Sequence, residues 1–211
     1  AGLAPLRGLA REVCGIVDGP VLGLDAGDSA CDPARPGPRG LPGSAWLNDE
    51  FTAARLGAVA ASAPAGQRNL LHVGTHFMLR PGNIGRSWLL LGDGQRLHLD
   101  ELSRLRFDGQ DLVTLSACET GLGAGDTGAS GQEVDGLNAL VMRRGAHAVL
   151  ASLWRVEDDS TSALMLALYR ELGRGVGPAQ ALQQAQAAVR AEPGREHPFY
   201  WAGFYLASDA R

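Results

Sequence analysis

Two short apolar runs end in residues able to do chemistry. One reads Leu70-Leu71-His72-Val73-Gly74-Thr75-His76, the other Leu112-Val113-Thr114-Leu115-Ser116-Ala117-Cys118-Glu119-Thr120-Gly121. A thiol beside an imidazole is the smallest unit for nucleophilic catalysis: histidine draws off the proton, thiolate attacks a carbonyl carbon, and imidazolium protonates the leaving amine. If the two runs are neighbouring parallel strands, His76 and Cys118 emerge at the same rim of a sheet. A strand-end cysteine taken alone is more often a small buried hydrophobe, so the chemical reading depends on the pairing with His76.

Other constellations carry less. His72 stands four residues before His76, on the same face of a strand, but its apolar surroundings and the lack of a third nearby ligand favour a core or hydrogen-bonded imidazole over a metal ligand. No metal and no organic cofactor is expected. Gly123-Ala124-Gly125-Asp126-Thr127-Gly128 spells G-x-G-x-x-G. In the dinucleotide fingerprint the glycine turn follows the strand almost directly, whereas here Cys118 to Gly121 intervene and the helix begins only after Ser130. A loop that shapes or gates a substrate groove accounts for these glycines better. Cys14, Cys31 and Cys118 are an odd number without C-x-x-C spacing, which argues against a disulfide framework and a structural zinc, and for a reducing cytoplasm. Cys14 and Cys31 then read as bystanders, and His98, His147 and His197 receive no catalytic role.

The chain that must position these groups has 211 residues, 45% of them apolar, and a formal charge of −4, which suits one domain over residues 1–211 with its own core. All 19 basic residues are arginines. A Walker-type phosphate loop and a pyridoxal Schiff base, which both need a lysine amine, are therefore excluded. Mild acidity with scattered arginines gives no basic stripe, so nucleic acid is not an expected partner. No run of about 18 apolar residues could span a bilayer, so no membrane partner is expected either. The chain opens with alanine and its first thirty residues show little pattern, so a natural N-terminal part is expected upstream.

Strand-length apolar runs lie at Val21 to Leu24, Leu70 to Gly74, Trp88 to Leu91, Leu112 to Leu115 and Ala148 to Leu153. They are apolar on both parities, as in strands covered on two faces. Helices are predicted over Asn48 to Ala61, Gln132 to Arg144, Asp159 to Leu172 and Pro178 to Ala191. Arg143 and Arg144 read as capping residues, Gly145 as a helix stop, and Asp159 as an N-cap. The alternation predicts an α/β sandwich with a mostly parallel sheet, whose site is built by loops leaving the C-terminal ends of the strands.

From about Leu41 onward the chain resembles CHAT domains, caspase-related cysteine peptidase domains of mostly bacterial proteins, often C-terminal to tetratricopeptide repeats. The resemblance rests on Thr75-His76, Ser87-Trp88-Leu89, Leu115-Ser116-Ala117-Cys118-Glu119-Thr120-Gly121, Gly145-Ala146, Ala151-Ser152-Leu153-Trp154, Asp158-Asp159, Ala181 to Ala185 and His197-Pro198-Phe199-Tyr200-Trp201. It implies a caspase-like three-layer sandwich with a mostly parallel central sheet flanked by helices.

The resemblance further implies Cys118 as nucleophile and His76 as general base and acid. The backbone N–H groups of Cys118 and Phe77 would form the oxyanion hole, although Phe77 stands where the family commonly has glycine. Glu119, Trp154, Arg155 and Asp158 are candidates for substrate binding. A carboxylate from Glu119 or Asp158 in the pocket would favour a basic residue before the scissile bond, whereas Arg155 there would favour aspartate. Three of these four have a structural alternative: an arginine or a helix N-terminus as partner for Glu119, helix capping beside Asp158, plain core for Trp154. The expected partners are a protein or peptide substrate and an upstream repeat or sensor domain. The expected role is regulated proteolysis in bacterial signalling, defence or cell death, and the alternative is a catalytically silent interaction module on the same scaffold.

Overall fold

The computed structural model describes residues 6, 8–25, 31, 40–78, 84–116, 132–154 and 157–209. In chain order the elements begin with α1 (Leu9–Ile16), β1 (Val17–Asp18), β2 (Val21–Leu22), β3 (Leu41–Pro42), β4 (Ala45–Trp46) and α2 (Ala53–Ala60). There follow β5 (Leu70–Gly74), β6 (Phe77–Met78), β7 (Trp88–Leu90), β8 (Arg96–His98), α3 (Leu99–Leu102), β9 (Leu112–Ser116), α4 (Gln132–Arg143) and β10 (Ala148–Ser152). The series closes with α5 (Asp158–Gly173), α6 (Pro178–Arg190), α7 (Pro198–Trp201) and β11 (Phe204–Ser208). The chain divides into two compact units, one of Ala1–Phe51 with Val156–Gly203, the other of Thr52–Arg155 with Phe204–Arg211. Both are made of discontinuous stretches of chain.

The second unit holds a four-stranded sheet in the order β11-β10-β9-β5. The inner pairs β5/β9 and β9/β10 are parallel, and β11 joins β10 antiparallel. The fold is thus α/β with a mostly parallel sheet, as the alternation of runs predicts. A separate antiparallel sheet, β6-β7-β8, follows directly from β5.

The two parities of the parallel strands differ. Leu71, Val113 and Val149 form one cross-strand row, and Val73, Leu115 and Ala151 the next on the same face. Tyr205 pairs with Ala151, and its hydroxyl accepts a hydrogen bond from Asn138 Nδ2 at 2.6 Å, so α4 covers this aliphatic face. The opposite parity carries Leu70 and Leu112, then His72, Thr114 and Leu150, then Gly74, Ser116 and Ser152. Every residue of β9 and β10 is buried, as expected of strands covered on both faces, and the second face adds an imidazole and hydroxyls to its apolar residues toward the C-terminal rim.

Gly145 ends α4 at φ +110, where an added Cβ would lie 2.8 Å from the backbone of Asp108. This agrees with its reading as a stop. Arg144 does not cap its own helix; its guanidinium donates to the carbonyls of Leu105 at 2.9 Å and Arg104 at 3.4 Å.

The first unit pairs α1 with α5, and α5 with α6. Beside them β1/β3 and β2/β4 form a parallel ribbon in a single register, Val17 opposite Leu41 and Val21 opposite Ala45. The predicted strand Val21 to Leu24 stops at Leu22 because Gly23 turns to φ +78, where a side chain would run into the Leu47 carbonyl. The predicted helix Asn48 to Ala61 is split. Asn48 takes φ 46 and donates to Gly23 C=O at 2.8 Å, a single 3-10 turn follows, and Thr52 starts α2 afresh by accepting from Arg55 N–H at 3.2 Å. Helix α5 begins one residue earlier than predicted, so its N-cap is Glu157, and Asp158 and Asp159 lie in its first turn.

The first thirty residues hold more than their composition shows. Helix α1 carries Val13 into a cluster with Ala45 and Leu47. It also carries Cys14, which is disulfide-bonded to Cys31 with Cα atoms 5.0 Å apart and a sequence separation of 17. The reading of these two as bystanders is therefore corrected. An odd cysteine count does not exclude one pair once the fold brings two of the three together, and the argument from that count for a reducing cytoplasm lapses. No helix among the described residues is long and apolar enough to cross a membrane.

Two tests follow from the first unit. Closing a loop of this length contributes about 3 kcal/mol in the chain-entropy account. Dithiothreitol, or Cys14→Ser without it, is expected to lower the thermal midpoint by about 6 to 12 °C; an unchanged midpoint on reduction would mean that the thiols are unpaired in solution. In α5, Glu171 binds Arg174 Nη1 through both oxygens, at 2.8 and 3.1 Å, and Arg170 Nε at 3.2 Å. Burial draws its carboxyl upward, but Arg174 and Arg170 outweigh this and hold it below the usual carboxylate range. A lowered folded-state value contributes stability that is full above the ordinary carboxylate pKa and is lost as pH falls through the folded value. Arg174→Ala is accordingly expected to move the acid-unfolding midpoint to higher pH, read by circular dichroism along an acid titration.

Candidate functional site

The parallel strands are fastened at the rim where they begin. Asn69, Asp111 and His147 each stand one residue before a strand, β5, β9 and β10. Asn69 N–H donates to Asp111 Oδ2 at 2.8 Å, Asp111 N–H donates to Asn69 C=O at 2.9 Å, and Asp111 Oδ1 lies 3.6 Å from His147 Nδ1. The carboxamide of Asn69 also donates to the carbonyls of Pro64 and Gly109, both at 3.2 Å. Gln110, 2% exposed, spends its amide on the last carbonyls of α2, with Ala60 C=O at 3.1 Å. These bonds fix the register in which Leu70 faces Leu112 and Gly74 faces Ser116.

At the opposite rim that register aligns the candidate residues. Gly74 and Ser116 are cross-strand partners, and continuing the β9/β10 pairing by one residue sets Ser152 beside Ser116. His76 stands two residues beyond Gly74, Cys118 two beyond Ser116, and Trp154 two beyond Ser152. Cys118 itself, with Glu119 and Arg155, lies outside the described residues, as does the glycine loop Gly121 to Gly131.

His76 is described and 7% exposed. Its C=O accepts from Leu90 N–H at 2.9 Å, while Thr75 N–H reaches Ser116 C=O at 3.3 Å and Thr75 Oγ1 donates to Leu90 C=O at 2.5 Å. In an antiparallel pair successive residues turn their polar groups alternately toward and away from the partner. Because His76 faces β7, the N–H of Phe77 points away from β7. The Phe77 ring is 1% exposed and Leu89 is its cross-strand partner, so its bulk is taken up by packing.

Trp154 is part-buried, and Leu153 before it is 36% exposed. Asp158 belongs to the first unit, exposed on the first turn of α5, where Asp159 lies 3.7 Å from Arg11. His72 is part-buried opposite Thr114, and among the described residues no three His, Cys, Asp or Glu side chains gather as a metal site. His98 precedes α3 and its N–H donates to Glu101 at 2.9 Å, while His197 Nδ1 accepts from Phe199 N–H at 3.2 Å at the start of α7. The structure therefore aligns His76 and Trp154 with the strand that leads to Cys118.

Thr75 and the Asn69–Asp111 clamp were not singled out from sequence. The available signal was positional: a hydroxyl beside the strand-end histidine, and a polar residue directly before each of three apolar runs.

The sequence model of one protein family, described as the CHAT domain, matches residues 42–209. Among curated proteins nothing matches.

Asp111→Ala removes the acceptor of the Asn69 N–H and is expected to cost about 1 to 3 kcal/mol of stability. Urea titration followed by tryptophan fluorescence measures it, and a loss well under 0.5 kcal/mol would show that the rim bonds do not hold the register.

Proposed function

This chain belongs to the CHAT domain family, related to the caspase-like peptidases, and on that premise we propose that it is a cysteine endopeptidase cleaving a protein partner at a restricted site. The observation that carries the reading is the strand register: Gly74 and Ser116 are partners, and the imidazole and the thiol each follow two residues later. Two residues of chain span at most about 7 Å and neighbouring strands lie about 4.8 Å apart. A proton passing between Cys118 and His76 is compatible with those lengths.

In this mechanism His76 takes the thiol proton as Cys118 Sγ attacks the scissile carbonyl carbon. The oxyanion accepts hydrogen bonds from the N–H groups of Cys118 and Phe77, a contribution of about 3 to 4 kcal/mol per donor in measured enzymes. The Phe77 N–H direction, away from β7, supports its part in this. Imidazolium then protonates the leaving amine, and a thioester remains on Cys118. Water, deprotonated by His76, attacks the thioester and releases the second product. No step needs a metal or an organic cofactor.

Trp154, two residues past Ser152 on the strand beside β9, would wall the substrate. Glu119 would select a basic residue before the scissile bond, and Arg155 an acidic one. Upstream repeat or sensor domains would restrain and release the activity.

A mixed peptide library tests activity and pocket charge together. Cys118→Ala is expected to abolish cleavage, and His76→Ala to lower it about a thousandfold or more. Undiminished cleavage by Cys118→Ala ends the peptidase reading, and an inert protein whose Cys118 labels no faster than an ordinary thiol would be the catalytically silent interaction module instead.

A further inference from the structure

His76 occupies a two-residue turn between two sheets. Gly74 ends β5 of the parallel sheet and Phe77 opens β6 of the antiparallel one, so Thr75 and His76 are the whole connection. Three hydrogen bonds are among those that hold this dipeptide. Thr75 N–H ties it to Ser116 C=O at 3.3 Å, on the strand that runs toward Cys118. The other two reach a single residue of β7: Leu90 N–H donates to His76 C=O at 2.9 Å, and Thr75 Oγ1 donates to Leu90 C=O at 2.5 Å. Of the three, only the last uses a side chain, and that side chain belongs to a residue 7% exposed.

The chemistry expected of His76 depends on where its ring stands, and the ring hangs from the Cα that directly follows Thr75. The backbone bonds at Thr75 N–H and His76 C=O bracket the dipeptide. The Thr75 hydroxyl reaches across to β7 from inside that bracket. A β-branched residue there is already restricted about χ1, so a bonded hydroxyl holds side chain and backbone together.

We propose that Thr75 is a positioning residue for the dyad: its hydroxyl, clipped to the Leu90 carbonyl, locks the turn that aims the His76 imidazole at the end of β9. This rests on the dyad reading of the preceding subsection and adds a residue to it. Thr75 acts through His76 and touches no reacting atom. Valine at this position keeps the shape and the branching but cannot donate, whereas serine keeps the donor.

The test reads Cys118 in the full chain by carbamidomethylation with iodoacetamide, followed by mass analysis of the Cys118 peptide, so that Cys14 and Cys31 do not contribute. Near pH 6.5 an unassisted thiol is about 1% ionised, and a well-placed imidazole raises the rate on the order of a hundredfold. Misplacing the ring by about 1 Å is expected to cost about tenfold or more. Thr75→Val should therefore slow Cys118 labelling about tenfold near pH 6.5 relative to its own rate near pH 10, while Thr75→Ser stays within about threefold of the parent. Thermal midpoints are recorded alongside; if Thr75→Val does not fold, Thr75→Ala, which lacks the hydroxyl and adds no bulk, is read in its place.

His76→Ala separates the two levels of the argument. If it labels like the parent, the dyad has failed and the positioning role fails with it. If it is slow while Thr75→Val keeps the parent's profile, the dyad stands and the role of Thr75 is overturned. A slow Thr75→Val whose serine counterpart is equally slow also overturns it, because the effect would then follow packing and not the hydroxyl.

Discussion

Everything in the second unit depends on one constraint, the register between the parallel strands β5, β9 and β10. A slip by one residue would exchange the faces of a strand, turning Val73 or Leu115 toward the hydroxyl side and His72 or Thr114 under α4. The bonds that forbid this are at the far rim, where Asn69 and Asp111 exchange backbone and side-chain hydrogen bonds and Gln110 holds the end of α2. Strand geometry carries that alignment along the sheet to the rim that His76 and Trp154 share. The bonds that fix the register thus lie at one end of the strands and the candidate site at the other.

The division of the sheet into an aliphatic and a polar-edged face has an energetic logic. Leu71, Val73, Val113, Leu115, Val149 and Ala151 can be buried under α4 at no polar cost, and they supply the hydrophobic gain. Thr114, Ser116 and Ser152, all at most 1% exposed, cost desolvation that only hydrogen bonds offset. Polar groups placed this deep give the strand ends few alternative arrangements, and they lie directly beneath the residues of the candidate site. Catalytic geometry needs that rigidity more than it needs the last increment of stability.

The sequence made the strands legible because Leu70 to Gly74, Leu112 to Leu115 and Ala148 to Leu153 are compact runs bounded by polar residues, and β5, β9 and β10 fall on them. It made α4, α5 and α6 legible through their apolar stripes and through Gly145 and Pro178. Register was not legible, since a run of leucine and valine does not reveal which residue faces which. Nor was the Asn48 break, where a side-chain bond to Gly23, twenty-five residues away, overrides good helix propensity. Helix α1 and the Cys14–Cys31 bond escaped for the same reason: each is specified by a partner distant in sequence. Of the candidate site, His76 was readable as a residue just past a strand and Trp154 through the family resemblance, but the bond of the Thr75 hydroxyl to Leu90 was not, because nothing in the sequence pairs these two residues.

The last strand is supplied from a distance. β11 completes the sheet beside β10, yet α5, α6 and α7, all of the other unit, lie between them along the chain. On a ribosome adding about 5 to 20 residues per second, β10 waits for several seconds with that edge open. An open edge of alanine, valine and leucine is a template for pairing with another nascent copy. During synthesis the sheet therefore exists first in an unfinished form, with the β10 edge unpaired until β11 has been made.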